Sequence, residues 1–137
     1  MANSTTLYAL KDGRMAVDVT EAKTLAIKDC GVVQNVITDG ISITLPAAVV
    51  SYAYTIRNGG VKAGGSTGSK SDGSAIVNII PDGTEYISGC ELTTDSSDTL
   101  HNTKATSKVG DEISLVAAVA TGWVIENLKG IWAKTSV

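Results

Sequence analysis

With 137 residues and a formal net charge of −3, the chain suffices for one domain with a single core. It has no basic excess of the kind that binding to nucleic acids or anionic membranes requires. Hydrophobic residues make up 43% and charged residues 18%, which excludes a disordered chain. Phenylalanine is absent, and Thr, Ser, Val, Ile and Gly fill the sequence. That composition favours pleated, half-buried surfaces over helices. The opening MANSTTLYALKDGR lacks the apolar core of a secretory signal. The longest mainly apolar stretch, LPAAVVSYAYTI, contains Pro46 and is too short to span a bilayer. These features predict a chain made and kept soluble in a cytoplasm.

Residues 1–22 are polar and weakly periodic, and predict an N-terminal arm with one short strand over Met15–Val19. Residues 23–137 predict a single β domain. Asp39-Gly40 is a strong turn signal between two alternating stretches. It predicts a hairpin with Val32–Thr38 paired to Ile41–Leu45, ended by Pro46, which cannot donate to a ladder. Tyr52, Tyr54 and Ile56 then share one strand face, and Asn58-Gly59-Gly60 stops that strand. Residues 59–74 are Gly/Ser-rich without a packing face, the pattern of a flexible loop.

AIVNIIPDGTEYISG resumes strand patterning around a Pro81-Asp82-Gly83 turn, and the Thr-rich stretch after it reads as loop with short strand fragments. The closing segment reads as strand, turn, strand, turn, strand: EISLVAAVA, WVIENL and IWAK. In WVIENL the alternation puts Trp123, Ile125 and Asn127 on one face and Val124, Glu126 and Leu128 on the other. No window has a convincing helical period. The expected fold is all-β: a compact β-sandwich or jelly-roll-like barrel of roughly eight to ten short strands, with turn signals about every 8–12 residues. DGISITLP and DGSAIVNIIP resemble each other, and shared β-strand grammar accounts for the likeness.

Signals for chemistry are weak. GGSTGSKS has Ser69 where a phosphate-binding loop needs its second glycine, and strand-like sequence follows where a helix is required. His101, the only histidine, lies in a polar stretch near Asp98 without a nucleophile elbow, and is expected in an exposed loop. Asp95, Asp98, Asp111, Glu112 and Glu126 are paired-carboxylate candidates by residue type alone. Asp111 fits a turn-capping role after Gly110. Asp95 to Asp98 lacks the glycine and terminal glutamate of a calcium loop. Cys30 and Cys90 match no zinc or redox spacing and are expected as separate thiols, a disulfide being the alternative. No catalytic residue, cofactor or metal is predicted. Trp123 and Trp132 read first as fillers of a small core, with Tyr52 and Tyr54 as further core or interface anchors. A carbohydrate-stacking platform is the alternative for the tryptophans.

The order of ITDGISITLPAAVVSYAYTIRNGG, VNIIPDG, ISG, NTKATSKVGDEISLVA and GWVIENLKGIWA resembles the small β-rich proteins encoded beside the major capsid protein of tailed bacteriophages. The resemblance covers about residues 24–134. It implies a head decoration, or cement, protein: a homotrimer on the outer capsid surface of the virion, made in the host cytoplasm. Its partners would be the major capsid protein and its own copies, without enzymatic activity, nucleic acid or membrane. Related β modules occur on phage tails and fibres, so a receptor- or glycan-binding domain is the alternative expectation.

Overall fold

The computed structural model describes residues 3–38, 40–60, 77–90, 92–93, 98–102, 108–119 and 122–135. Within them the chain is all-β, without an α-helix. The strands are β1 (Tyr8–Ala9), β2 (Met15–Val19), β3 (Lys23–Thr24), β4 (Val33–Val36), β5 (Ile41–Thr44), β6 (Ala53–Asn58) and β7 (Val77–Ile80). After them come β8 (Tyr86–Gly89), β9 (Leu92–Thr93), β10 (Thr99–Asn102), β11 (Glu112–Val119), β12 (Gly122–Lys129) and β13 (Trp132–Thr135). A 3-10 turn over Ile27–Asp29 is closed by the Asp29 carboxylate, which accepts from the Ala26 N–H at 2.9 Å. The large sheet has the order β1-β2-β4-β6-β11-β12-β8-β9 and the small sheet β13-β10-β7-β5-β3.

From β2 to β7 the chain alternates between sheets, like a flattened coil. Strands β2, β4 and β6 lie parallel in the large sheet. Strands β3, β5 and β7 lie parallel in the small one. Parallel neighbours need a crossover, and here each crossover is a strand of the opposite sheet. The later strands close the coil's open side. Strand β11 adds antiparallel to β6 and β12 to β11, while β10 adds antiparallel to β7 and β13 to β10.

The two sheets pack face to face over one core. Ile56, Ile113, Leu115 and Ile125 of the large sheet are buried, as are Ile43, Val77, Ile79 and Leu100 of the small one. The period-two reading holds along β6 and along β11 as far as Ala117, where inward residues are buried and outward ones half-buried, and in β5 Ile43 is buried between half-buried Ser42 and Thr44.

Three readings are corrected. The hairpin from Val32–Thr38 to Ile41–Leu45 does not form: β4 is flanked by β2 and β6, and β5 by β3 and β7. Each strand already has two hydrogen-bonded neighbours, and the chain leaves β4 in one sheet and enters β5 in the other just after Gly40, whose φ is 77°. The strict alternation in WVIENL also fails. Ser114 faces Asn127 but Leu115 faces Ile125, so Glu126 is an extra residue, a β-bulge. The bulge resets the period: Leu128 packs against the core with Trp123 and Ile125, and Asn127 is exposed. His101 lies within β10, half-buried between Asn78 and Ala133, and not in an exposed loop.

Residues of the expected arm contribute β1 and β2 to the large sheet, with Ala16, Val17 and Val19 buried. Asn3 ties the start of the chain down: its Oδ1 accepts from the N–H groups of Thr20 and Glu21 at 2.8 and 3.0 Å. DGISITLP and DGSAIVNIIP supply β5 and β7, in-register parallel neighbours with Ile43 beside Ile79.

Candidate functional site

The four aromatic candidates are held by the interior. Trp123 is 1% exposed and Tyr54 1%. Their rings meet at a 5.5 Å centroid distance, and Tyr52 stands edge-on to Tyr54 at 6.4 Å. The Tyr54 hydroxyl donates to the Ala26 carbonyl at 2.9 Å. Burial, and then the neighbouring Cys30 thiol, push its ionisation well above the ordinary tyrosine value. Trp132, 5% exposed, belongs to the same core, and its Nε1–H donates to the Lys129 carbonyl at 3.0 Å. Neither indole leaves a face open to solvent, which sugar stacking requires.

Buried amides link the two sheets at the other end of β6. Asn58 donates from Nδ2 to Asn102 Oδ1 at 2.7 Å. Asn102 donates from its own Nδ2 to Asp111 Oδ2 at 3.1 Å and to the Ile131 carbonyl at 3.0 Å. The Asp111 carboxylate caps its turn by accepting from the Lys108 N–H at 2.9 Å. All three side chains are buried, so each bond replaces one that water would otherwise supply. Asp111 is therefore structural.

The other carboxylates are dispersed. Glu112 is held by Arg14 in a two-pronged pair at 2.9 and 3.0 Å. Asp98 is buried and lies 4.0 Å from the Lys134 ammonium, while Glu126 is exposed on its bulge. Asp95, the GGSTGSKS segment and most of the 59–74 loop lie outside the described residues. Among the described residues no group of three or more His, Cys, Asp or Glu is placed to hold a metal. No helix there is long and apolar enough to cross a membrane. Cys30 and Cys90 are unbridged thiols, the first half-buried and the second exposed.

Two surface features were not legible in the sequence. The first is the turn joining β5 to β6. The Tyr52 N–H donates to the Val49 carbonyl at 2.9 Å, which closes a β-turn with Ser51 at its third position. Ser51 has φ 85°, a value glycine normally supplies there. Ala48 N–H is gripped by both oxygens of Glu85 at 3.1 and 2.9 Å, and Glu85 also accepts from Trp123 Nε1–H at 3.3 Å. Ser51 N–H donates to the Ala117 carbonyl. On this braced tip Val50 is 59% exposed, with Val49 also exposed. No glycine marks the turn, so the sequence gives no signal of it.

The second feature is an open groove of about 520 Å³ beside the β1–β2 turn, lined among others by Lys11, Arg14, Arg57, Glu112 and Lys129. Strand pairing gathers its residues from distant parts of the chain, so no local motif records it. No known family model and no curated protein matches the chain.

Proposed function

We propose that the chain is a structural virion protein that decorates the outer surface of a tailed-phage head and stiffens it as a homotrimer bound to the major capsid protein. The reading assigns it no reaction of its own. The observation that carries it is the braced tip of Val49 and Val50. Exposed apolar side chains on a turn held at both ends, with a non-glycine residue at positive φ, suit contact with another protein. The order of sequence segments described above supplies the phage context. The cross-linked sandwich suits a load-bearing role. The alternative, a glycan-binding fibre domain, relied on tryptophan faces that are buried.

The test is binding to emptied, expanded phage heads that lack decoration. The protein should co-sediment with such heads, saturate at a fixed copy number per lattice site and raise the temperature at which the shell ruptures. Val50→Asp should weaken attachment while leaving the melting of the free protein nearly unchanged. Light scattering should report three times the chain mass at micromolar concentration. A persistent monomer that does not sediment with the shell would refute the reading.

A further inference from the structure

We infer that the groove between the β1–β2 turn and the ends of β6, β11 and β12 receives an extended acidic segment of a partner protein. Four cations and two carboxylates, Asp12 and Glu112, face the groove, a net charge of +2 in a chain of net −3. The rest of the molecule therefore carries −5, so the groove is a local reversal of sign. Such a patch selects and orients an oppositely charged partner.

The charges divide into two sets with different tasks. Arg14 is committed: its guanidinium is shared between Glu112 and Asp12, at 2.8 Å for the Asp12 contact. That clamp fixes the β1–β2 turn against the start of β11 and leaves the trio with a net charge of −1, which the three remaining cations of the groove exceed. The side chains of Lys11, Arg57 and Lys129 make no hydrogen bond or ion pair among the described residues. They are the cations left for a ligand.

Their placement argues for an extended polypeptide carrying alternate carboxylates. Arg57 and Lys129 both sit opposite Glu112, one on each flanking strand. Two strand spacings put their backbones about 10 Å apart. Carboxylates at positions i and i+2 of an extended segment project from one face about 7 Å apart. Flexible side chains on both partners span the difference. Lys11, on the turn, closes a third side. Arg57 offers the planar fork that matches a carboxylate in two-pronged fashion. Nucleic acid is disfavoured because the remainder of the chain repels a long polyanion. The inference deepens the decoration reading by naming a patch that would meet the shell, yet peptide binding tests it independently.

The experiment uses the full chain and a blocked hexapeptide of alternating glutamate and serine, with a lysine–serine hexapeptide and inorganic phosphate as comparison ligands. Heteronuclear NMR titration at low salt should show saturable shifts confined to the residues around Lys11, Arg57, Gly110 and Lys129 with the acidic peptide alone. The double variant Arg57→Gln with Lys129→Gln should bind at least about tenfold more weakly, with unchanged melting. Salt that shortens the screening length from about 30 Å to about 3 Å should abolish binding. Equal binding by wild type and double variant, or no binding at low salt, would overturn the inference. So would phosphate competing as well as the peptide, since the groove would then be a simple anion site. Peptide binding without attachment to phage heads would retain the groove and remove the decoration reading.

Discussion

Replacing Trp123 by alanine should destabilise the protein more than any surface change. The ring is 1% exposed, lies tilted against Tyr54 at a 5.5 Å centroid distance and is one of the largest side chains in the core. Large-to-small substitution of a buried aromatic costs about 3–5 kcal/mol, because the cavity collapses only in part. Loss of the 3.3 Å bond to Glu85 adds about 1 kcal/mol at most, since Glu85 keeps its two contacts to the Ala48 N–H. The total is a large share of the ~5–15 kcal/mol that holds a domain together. For a chain of this length it lowers the melting midpoint by about 10–20 °C. Trp123→Phe keeps much of the ring packing and should fall between wild type and alanine. Thermal melting by circular dichroism, run beside a glycan-binding screen on all three proteins, is the assay. An alanine variant melting within about 2 °C of wild type would refute the packing argument. Lost sugar binding in that same variant would revive the fibre alternative.

Three further outcomes are expected. Asn102→Ala removes the acceptor of the Asn58 Nδ2–H and the donor to Asp111 and the Ile131 carbonyl, all in the interior, and should cost about 2–4 kcal/mol in chemical denaturation. Ser51→Gly relieves a positive φ and should hold or raise the melting midpoint, whereas Ser51→Val should lower it by about 1–3 kcal/mol equivalent. Burial, followed by the Asp18 carboxylate it donates to, raises the Tyr8 ionisation from 10.0 to about 12. Because the folded value is the higher one, the associated stability is complete below pH 10 and lost as pH rises through about 12. Spectrophotometric titration should show a late phenol step that Tyr8→Phe removes.

Much of the strand content was legible because it depends on local alternation. Met15–Val19 is a strand with the bounds its pattern suggests, and the last two closing strands are separated where Gly130 falls. What local patterning cannot supply is the partner of each strand. Asp39-Gly40 has hairpin chemistry, yet the neighbours of β4 and β5 were decided by strands far away in sequence. The bulge at Glu126 was equally hidden, because WVIENL alternates acceptably in either phase until Leu115 and Ile125 are paired. The likeness between the two Asp-Gly stretches did carry topological information: both provide small-sheet strands on successive windings. The groove's cations were individually visible, but Lys11, Arg57 and Lys129 meet only through pairings that the sequence does not announce.

The alternation of β2 to β7 between sheets has a consequence for how the protein is born. During synthesis, the N-terminal strands emerge as a coil whose lateral edges, β6 and β7, wait for β11 and β10. Until those strands leave the ribosome, Tyr54, Ile56, Val77 and Ile79 lack the covering that makes them core. Pairings this distant in sequence form slowly, on the order of milliseconds to seconds. Over that interval the open edges can recruit strands from neighbouring nascent chains. Recovery of soluble material should therefore follow the rate and temperature of translation more closely than the stability of the finished sandwich. Cold, slow expression favours it, and a burst of synthesis drives the half-wound coil into aggregates.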